Sequence, residues 1–274
     1  MFNKELLKKY YTLKENPDSE LYNVRSVRDL LVTELTEDLW MIIACDSDGG
    51  IGPKEQDTVA CPGYDLGRFA ARVPLMEMLA CGAVPIIVVD VLTVEMEPTG
   101  KEIIKGIRDE VEEAGMNKNM VVTGSTEDNV TTVQTGLGVV VIGIVKKEDF
   151  RPGKSKPDDV AICVGLPKSA PIDIIKFTDN EIANLEVMRR ASKLHYVHDI
   201  LPVGSKGIKY ESHQLAASAE LKLDIVKNVE IDVNKSGGPT TSFLVSIHPD
   251  YVKEFYTEIN RPVTKLGSLK RNNR

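Results

Sequence analysis

The first half of the chain alternates short apolar runs with segments of helical periodicity, and this alternation restricts the folds open to it. Residues 39–45, 86–94 and 137–145 are rich in Val, Ile and Leu, which is typical of buried strands. Residues 65–81 and 98–114 instead repeat apolar side chains at helical spacing. Strands with few polar residues that alternate with helices predict a layered α/β domain.

Weaker signals complete the prediction for this half. Pro74 lies inside the first helical segment and predicts a kink or a break there. Two shorter runs, residues 58–61 and 120–123, predict additional short strands.

A charged segment that contains proline and glycine, residues 146–159, predicts a linker between two domains. We therefore expect an N-terminal domain over residues 1–150 and a C-terminal α/β domain over residues 157–274. In the second domain the patterns predict strands at 160–164, 228–233 and 241–247, helices at 179–194, 208–221 and 250–259, and a frayed basic tail at 265–274.

Composition and charge exclude several classes of protein. The chain has 34 basic and 41 acidic residues, a formal net charge of −7, so extensive nucleic-acid binding is not expected. No apolar run approaches the roughly 20 residues that span a bilayer, and the N-terminus is too charged for a signal peptide. The four cysteines lack the C-x-x-C spacing of zinc and redox sites, so we expect buried free thiols. These features predict a soluble, cytoplasmic protein with neither a membrane nor a nucleic-acid partner.

One predicted strand runs into an acidic, glycine-rich segment that is the first candidate site. Asp46 and Asp48 are two residues apart, so their side chains point in similar directions, and paired carboxylates suit Mg²⁺. Gly49 and Gly50 would let backbone N–H groups approach phosphates, which Lys54 could neutralise. The alternative is an ordinary Asp/Gly turn that caps the strand. The segment lacks the spacing of a Walker A loop.

Two other polar features of the first domain are candidates, each with a plainer structural alternative. Glu77 lies among Met, Leu, Ala and Cys, so it is either paired inside the protein or solvated on a helix surface. The segment with Gly124, Ser125, Glu127 and Asp128 follows a predicted strand and offers hydroxyl groups and acids, or is a simple connecting loop.

The second domain contributes two further polar segments. His198 or Asp199 is a candidate general base, and a Gly-Ser-Lys-Gly turn follows at residues 204–207. Free N–H groups at the start of the next helix, together with Lys206, could bind an anion, or the turn only caps the helix. Residues 236–239, Ser-Gly-Gly-Pro, predict a tight turn whose plainer role is a hairpin connection.

The order of these segments along the chain resembles a superfamily of ATP-using enzymes. Residues 48–54, DGGIGPK, resemble its D-G-V-G-T-K loop with one extra residue. Residues 77–85, EMLACGAVP, resemble its N-D-[ILV]-x-A-x-G-A-x-P helix, and residues 198–207 resemble its H-D-[IV]-T-x-G-G-[LI] segment. The superfamily contains aminoimidazole ribonucleotide synthetase, selenophosphate synthetase, thiamine-monophosphate kinase and the hydrogenase maturation factor that dehydrates a carbamoyl group.

The resemblance implies two α/β domains with mixed sheets, the first of which pairs its sheet with that of a second copy to form a β-barrel. It further implies a homodimer that binds ATP and Mg²⁺ between its domains and acts on a small-molecule substrate. Carried over to this sequence, it implies the metal ligands Asp46, Asp48, Glu77 and Asp128, the nucleotide-binding residues Gly49, Gly50, Lys54, Gly124 and Ser125, and the catalytic residues His198, Asp199 and Lys206.

The sequence departs from the superfamily's motifs at several positions, and these differences indicate which member families it resembles least. Its Asn-Asp pair is Met76-Glu77 here, and its G-G-[DE] acid falls on Thr126, which leaves Glu127 or Asp128 to replace it. The reactive cysteines of the selenophosphate synthetases and of the hydrogenase factor have no counterpart. We therefore expect a kinase similar to α-ribazole kinase, which phosphorylates the 5′-hydroxyl of a nucleoside in the cobalamin pathway. The alternatives are ATP-dependent activation of an amide or carbamoyl oxygen, and a nucleotide-binding regulator without turnover.

Overall fold

Two large β-sheets, one from each half of the chain, organise the structure, a computed structural model that describes residues 4–19, 23–117 and 122–272. The first half contains α1 (Lys4–Glu15), β1 (Arg25–Val27), β2 (Leu30–Glu34), β3 (Leu39–Gly49), β4 (Ile51–Gly52), β5 (Val59–Ala60), α2 (Gly63–Ala80), β6 (Val84–Leu92), α3 (Lys101–Glu113), β7 (Val122–Ser125) and β8 (Gly136–Lys146). The second half contains β9 (Val160–Val164), α4 (Leu185–Ala191), β10 (Val197–Pro202), α5 (Gly207–Ala217), β11 (Leu221–Ile225), β12 (Phe243–Ile247), α6 (Val252–Glu258) and β13 (Val263–Arg271).

The six-stranded sheet of the first half is mixed, with the strand order β1-β2-β3-β8-β6-β7. Its neighbouring strands are antiparallel except for β6 and β7, which run parallel. Burial alternates along β3 and β8, so one face of the sheet carries core residues such as Ile42, Ala44, Val139 and Val141. That face packs against α2, as expected for a layered α/β unit.

Helix α2 lies between the sheet and α3, and two glycines let the helices approach closely. A Cβ atom on Gly67 would lie 2.1 Å from the carbonyl oxygen of Ile103, and one on Gly106 would lie 2.1 Å from that of Tyr64. Of the two outcomes predicted at Pro74, a kink or a break, the break is wrong, since α2 continues through Pro74. Buried side chains on both sides of Pro74 hold the helix against the core, and this packing outweighs the lost backbone hydrogen bond.

The five-stranded sheet of the second half is antiparallel, with the order β10-β12-β9-β13-β11. The predicted frayed tail is wrong, because most of it forms β13, which pairs with both β9 and β11. Leu266 and Leu269 are buried there, so sheet pairing outweighs the effect of the basic residues around them.

Other boundaries in the second half also differ from the sequence patterns. The helix expected at 179–194 is reduced to α4, which begins where the Val187 N–H donates to Asn184 Oδ1 at 3.0 Å. Residues 228–233 form no strand. Their alternating apolar side chains pack onto the core around α5 from an irregular segment, so burial alone accounts for the alternation.

The first half also contains features that the patterns missed or displaced. Helix α1 was not predicted, and its residues are all at least partly exposed. The short strand expected at 120–123 is found as β7, which begins at Val122; residues 120 and 121 lie outside the described residues. Of the four cysteines expected to be buried free thiols, all are free, but Cys45 is exposed and Cys61 is partly exposed.

The two halves share a hydrophobic core, in which α2 contacts both the first sheet and α4 and β10 of the second half. Arg72 of α2 is buried at this junction, with Nε 2.7 Å from Glu110 Oε1. The α/β class is confirmed, whereas the domain bounds and the dimeric barrel stay predictions. The large sheets of the described residues are both open, and none of the helices described is long and apolar enough to cross a membrane.

Candidate functional site

A cleft of about 600 Å³ lies where loops of the two halves meet. The end of β3, residues 58–61 and the start of α2 form its first wall, and residues 169–175 and 236–240 form much of the other. Part of the lining is apolar, including Val59, Leu66, Phe69, Ile174 and Ile175. Among the described residues that line this cleft there is no Lys, Arg or His, but there are three aspartates.

Asp46 and Asp48 are part of β3 itself, because the strand continues to Gly49. Alternate residues of a strand share a face, and both carboxyl groups line the cleft. Burial raises the pKa of Asp46, and burial together with the negative charge of Asp46 raises the pKa of Asp48 to about 6. Two partly buried carboxylates that repel each other favour a bound cation, which removes the repulsion.

A smaller cavity of about 240 Å³ extends the cleft, since Gly204 and Ser205 line both. Its lining includes Asp29, Lys206 and Glu211. Lys206 therefore lies where the sequence placed it, at the turn before α5, and its Nζ is 3.3 Å from the hydroxyl oxygen of Tyr210. The extended cleft thus has two basic residues, Arg28 and Lys206, at one end and the aspartate pair of β3 at the other.

The negative charge of Asp29 contributes to the raised pKa values of three other carboxyl groups, those of Asp46, Glu77 and Glu211. Burial raises the pKa of Glu77 to about 8 and that of Glu211 to about 7, and the negative charge of Asp29 is the next cause in both. Asp29 also contributes to the raised pKa of Asp46. Asp29, Asp46, Glu77 and Glu211 therefore form one acidic group that spans both halves of the chain.

Arg28 brings a positive charge to this acidic group and is held in place by Asp199. Its Nη1 and Nη2 lie 3.0 and 2.5 Å from the two carboxylate oxygens of Asp199, and it also donates to the carbonyl oxygen of Ile200 and to Ser218 Oγ. Asp199 is fully buried and lines neither cavity. The structure therefore places Asp199 as a support for the turn that carries Asp29.

His198, the third predicted catalytic residue, also lines neither part of the cleft. Its Nδ1 is 2.8 Å from Asp159 Oδ2, and its Nε2 is 3.2 Å from Lys156 Nζ. The adjacent residues His198 and Asp199 therefore have different partners and do not form a dyad.

The predicted phosphate-binding segment after β3 is engaged in other contacts. Lys54 forms an ion pair with Glu95. The Gly50 N–H donates to the carbonyl oxygen of Thr135 at 2.9 Å, and the Gly50 carbonyl oxygen accepts from the next loop. Gly49 pairs with β8. None of Gly49, Gly50 and Lys54 lines the cleft.

The predicted nucleotide-binding residues Gly124 and Ser125 lie in β7, an edge strand of the six-stranded sheet. The acids of the cleft lie in β3, three strands away. Asp46 is separated from Gly124 by three strand spacings, through β8 and β6. Neighbouring strands are about 4.8 Å apart, so this separation is about 14 Å. The structure does not bring Gly124 and Ser125 together with the acids of β3.

Asp128, the fourth predicted metal ligand, is exposed and caps a local turn. Its Oδ1 accepts from the Met96 N–H at 3.0 Å, and its Oδ2 accepts from Thr126 Oγ1 at 2.7 Å. The hydrogen bond from Met96 lowers the pKa of Asp128. Glu127, the alternative to it, accepts hydrogen bonds from the N–H groups of the two residues that follow Asp128. The hydrogen bonds of both acids therefore stabilise the conformation of this loop.

The donor set of the cleft suits a magnesium ion that arrives with a nucleotide. No group of three or more His, Cys, Asp or Glu among the described residues could hold a metal ion by itself. Mg²⁺ is usually bound by one or two carboxylates, with water and substrate phosphates as the remaining ligands. Asp46 and Asp48 fit that role, whereas Glu77, the third predicted metal ligand, lines neither cavity and has a pKa raised to about 8 by burial.

Arg28, Asp29 and Glu211 are residues of the site that the sequence patterns did not identify. The signal for Asp29 is a charged pair, Arg28-Asp29, directly before the apolar strand β2. The signal for Glu211 is its position one helical turn after Gly207. Charged pairs and acids one helical turn from a glycine are frequent in sequences. Arg28, Asp29 and Glu211 differ from other such residues because the fold brings them close to Glu77.

Comparisons with known proteins agree with this fold. Residues 29–145 match the family described as AIR synthase related protein, N-terminal domain.

Several solved structures have a similar fold. AaThiL, the Aquifex aeolicus thiamine monophosphate kinase, in complex with AMPPCP and TMP, is 14% identical over 100% of this chain and 94% of its own, with a TM-score of 0.63. The hydrogenase maturation protein HypE of E. coli is 13% identical over 84% of this chain and 80% of its own, with a TM-score of 0.63. T. maritima PurL in complex with ADP is 15% identical over 98% of this chain and 45% of its own, with a TM-score of 0.62. No curated protein shows significant sequence similarity to the chain.

Proposed function

The chain belongs to the superfamily of AIR synthase-related proteins, and we propose that it is an ATP- and Mg²⁺-dependent phosphotransferase that acts on a small molecule. The observation that carries this proposal is the pair Asp46 and Asp48, whose carboxyl groups line a cleft between two α/β halves. Phosphoryl transfer requires mainly metal ions, correct positioning and charge stabilisation, and little covalent chemistry from the protein.

The extended cleft offers acids for the magnesium ion of Mg-ATP and a basic residue for its phosphates. We assign Asp46 and Asp48 to the magnesium ion, which when bound would offset the charge of the phosphates. Lys206, at the smaller cavity, is the residue that we assign to a phosphate group. Structures with the same fold have been solved with AMPPCP, for AaThiL, and with ADP, for PurL, which supports an adenine nucleotide as the ligand.

The acceptor that the cleft favours is uncharged. A phosphorylated acceptor would place its anion beside Asp46 and Asp48, whereas the basic residues of the extended cleft, Arg28 and Lys206, line its smaller part. The third aspartate, Asp173, is already paired with Lys235 at 2.7 Å. The apolar lining around Phe69 suits a planar, neutral ring. A nucleoside combines such a ring with a primary hydroxyl, and we propose α-ribazole as the best candidate.

The three predicted catalytic residues take separate roles in this proposal. Lys206 offsets phosphate charge. Asp199 acts through Arg28 as a positioning residue for Asp29, and His198 does not take part in phosphoryl transfer. No residue is assigned as a general base, because the loose transition state of phosphoryl transfer makes little demand on one.

We further propose that the protein is a homodimer, assembled through the outer face of the six-stranded sheet. Large apolar side chains are exposed on that sheet: Leu31 at 45%, Ile86 and Ile87 at 40%, and Val91 at 49%. Apolar surface of this kind usually marks a contact site. A second copy would cover it with an identical face, which fits the barrel expected from the superfamily.

The experiment that tests the function is incubation of the protein with Mg-ATP and α-ribazole, followed by mass spectrometry. We expect the 5′-phosphate and an equal amount of ADP. Asp46→Asn and Asp48→Asn should abolish product, whereas Asp224→Asn, an exposed site on β11, should not. Turnover of thiamine monophosphate in place of α-ribazole would contradict the neutral acceptor. ADP release that requires an amide or carbamoyl compound would identify the synthetase type of reaction instead.

A second candidate, a nucleotide-binding regulator without turnover, is favoured by one specific observation. Lys54 is paired with Glu95 and Asp128 caps Met96, so two residues expected at the site are occupied elsewhere. Tight binding of Mg-ATP without ADP formation across the whole acceptor panel would identify this function.

A further inference from the structure

A separate cavity of about 490 Å³ lies beside the segment that joins the two halves of the chain. Its lining includes Arg151, Lys154, Lys156 and His198, together with the acids Glu148 and Asp149. It shares no lining residue with either part of the cleft. We call it the linker cavity.

The backbone that carries the lysines of the linker cavity is fixed by buried contacts. Ser155, between the two lysines, is buried, and its Oγ is 2.8 Å from Ser246 Oγ of β12. The buried carboxylate of Asp159 accepts from the Lys156 N–H at 2.8 Å. Lys154 and Lys156 are themselves exposed. Their positions therefore do not depend on a mobile surface loop.

Asp159 also fixes the imidazole ring of His198. The ring Nδ1 is 2.8 Å from Asp159 Oδ2, and Nε2 lies 3.2 Å from the ammonium nitrogen of Lys156. Because an ammonium group can only donate, Nδ1–H donates to Asp159 and Nε2 accepts from Lys156, so the ring holds the Lys156 side chain beside the cavity. His198 is thus a fixed contact in a concave, basic surrounding.

The charge balance of the linker cavity favours an anion. Arg151, Lys154 and Lys156 carry three positive charges against the two carboxylates, of which Glu148 also has Lys146 at 3.8 Å. Arg151 donates to the carbonyl oxygen of Ser192 at 2.6 Å. Each ammonium group has three donors, so the lysines retain donors for a ligand after their contacts within the protein. The excess of positive charge favours an anion over a metal ion.

We propose that the linker cavity is a second ligand site, which binds a phosphate-bearing anion through Lys154 and Lys156, with His198 as the residue that positions Lys156. Phosphate groups accept several charge-assisted hydrogen bonds at once, which matches this set of donors. The cavity is large enough for a diphosphate or a phosphate ester. The proposal is independent of the reaction in the cleft.

The test is a titration of the ¹⁵N-labelled full chain with inorganic pyrophosphate, and separately with orthophosphate, in the presence of EDTA. The imidazole signals of the four histidines are followed by NMR, and the His198→Gln variant identifies the signal of His198. The K154A/K156A variant tests the site. The K222A/K227A variant removes the same charge from two exposed lysines of the second half and serves as the control. Circular dichroism confirms that each variant is folded.

We expect a saturable shift of the His198 signals with at least one of the two anions. The K154A/K156A variant should bind that anion at least about tenfold more weakly, and the K222A/K227A variant should bind it like the wild type. A linear shift that does not saturate, or equal affinity in the wild type and K154A/K156A, would overturn the proposal. Binding in the cleft would not mimic the expected result, because neither lysine lines it.

Discussion

Replacement of Asp199 by alanine removes the buried partner of Arg28, and we expect a cost of about 3–5 kcal/mol in the free energy of unfolding. The side chains of the pair are 0% and 7% exposed, so solvent does not screen the charge that remains. The substitution also removes the acceptor of the Gly153 N–H at 3.0 Å and of the Ile200 N–H at 2.8 Å. Two unsatisfied donors and a guanidinium that has lost its bidentate carboxylate partner together account for the expected cost.

The assay for this prediction is thermal and guanidinium-induced unfolding. A loss of 1 kcal/mol lowers the Tm of a domain of this size by about 2–4 °C, so a loss of about 3–5 kcal/mol should lower the Tm of Asp199→Ala by about 6–20 °C. Asp199→Asn keeps one acceptor oxygen, so its Tm should lie between the Tm of Asp199→Ala and that of the wild type. A double-mutant cycle with Arg28→Met isolates the pair, and its coupling energy should exceed about 1 kcal/mol.

Two results would refute this reasoning about Asp199. One is a Tm of Asp199→Ala within about 2 °C of the wild type, which would mean that the pair is not buried as described. The other is a double variant whose loss equals the sum of the single losses. Asp224→Ala, on an exposed part of β11, is the control for loss of a carboxylate as such.

Three further predictions concern pH, packing and assembly. The folded-state pKa of Glu77 is raised to about 8 from an ordinary value of 4.5, so its contribution to stability is full below pH 4.5 and is lost as pH rises through about 8. In the absence of Mg²⁺, the Tm of Glu77→Gln should therefore lie a few degrees above that of the wild type at pH 9 and should equal it at pH 4. A Tm of Glu77→Gln below that of the wild type at pH 9 would be evidence against this. Gly67→Ala should cost about 1–3 kcal/mol, since its Cβ would lie 2.1 Å from a backbone oxygen, whereas Gly49→Ala meets nothing within 4 Å and should stay near wild-type stability in urea unfolding. The wild type should sediment as a dimer of the 30.2 kDa chain and the double variant Ile86→Glu, Val91→Glu as a monomer; a monomeric wild type would refute the proposed interface.

Much of the fold could be predicted from the sequence because local patterns determine it. The apolar runs near β3, β6 and β8 are the central strands of the first sheet, and β9 and β12 lie at predicted positions. Continuous burial on both faces, as in β9 and β12, leaves a run of apolar residues that a single sequence shows directly. The motif order also predicted the superfamily, in agreement with the match of residues 29–145 to the N-terminal domain of AIR synthase related proteins.

The remainder depends on contacts between distant segments. Residues 265–271 are a basic tail by composition, and they form a strand only because β9 and β11 offer partners on both sides. Asp29 becomes part of the site only because Arg28 reaches Asp199, 171 residues away. His198 and Asp199 are adjacent in sequence but contact different partners. No local pattern contains this information.

Calorimetric titration with Mg-ATP tests the central claim, that Asp46 and Asp48 bind the metal of a nucleotide in the cleft, most directly. We expect the wild type to bind Mg-ATP and EDTA to weaken this binding. Asp46→Asn and Asp48→Asn should each weaken it by about tenfold or more while Asp224→Asn leaves it unchanged. Wild-type affinity for Mg-ATP in both cleft variants, with their circular dichroism unaltered, would contradict the account.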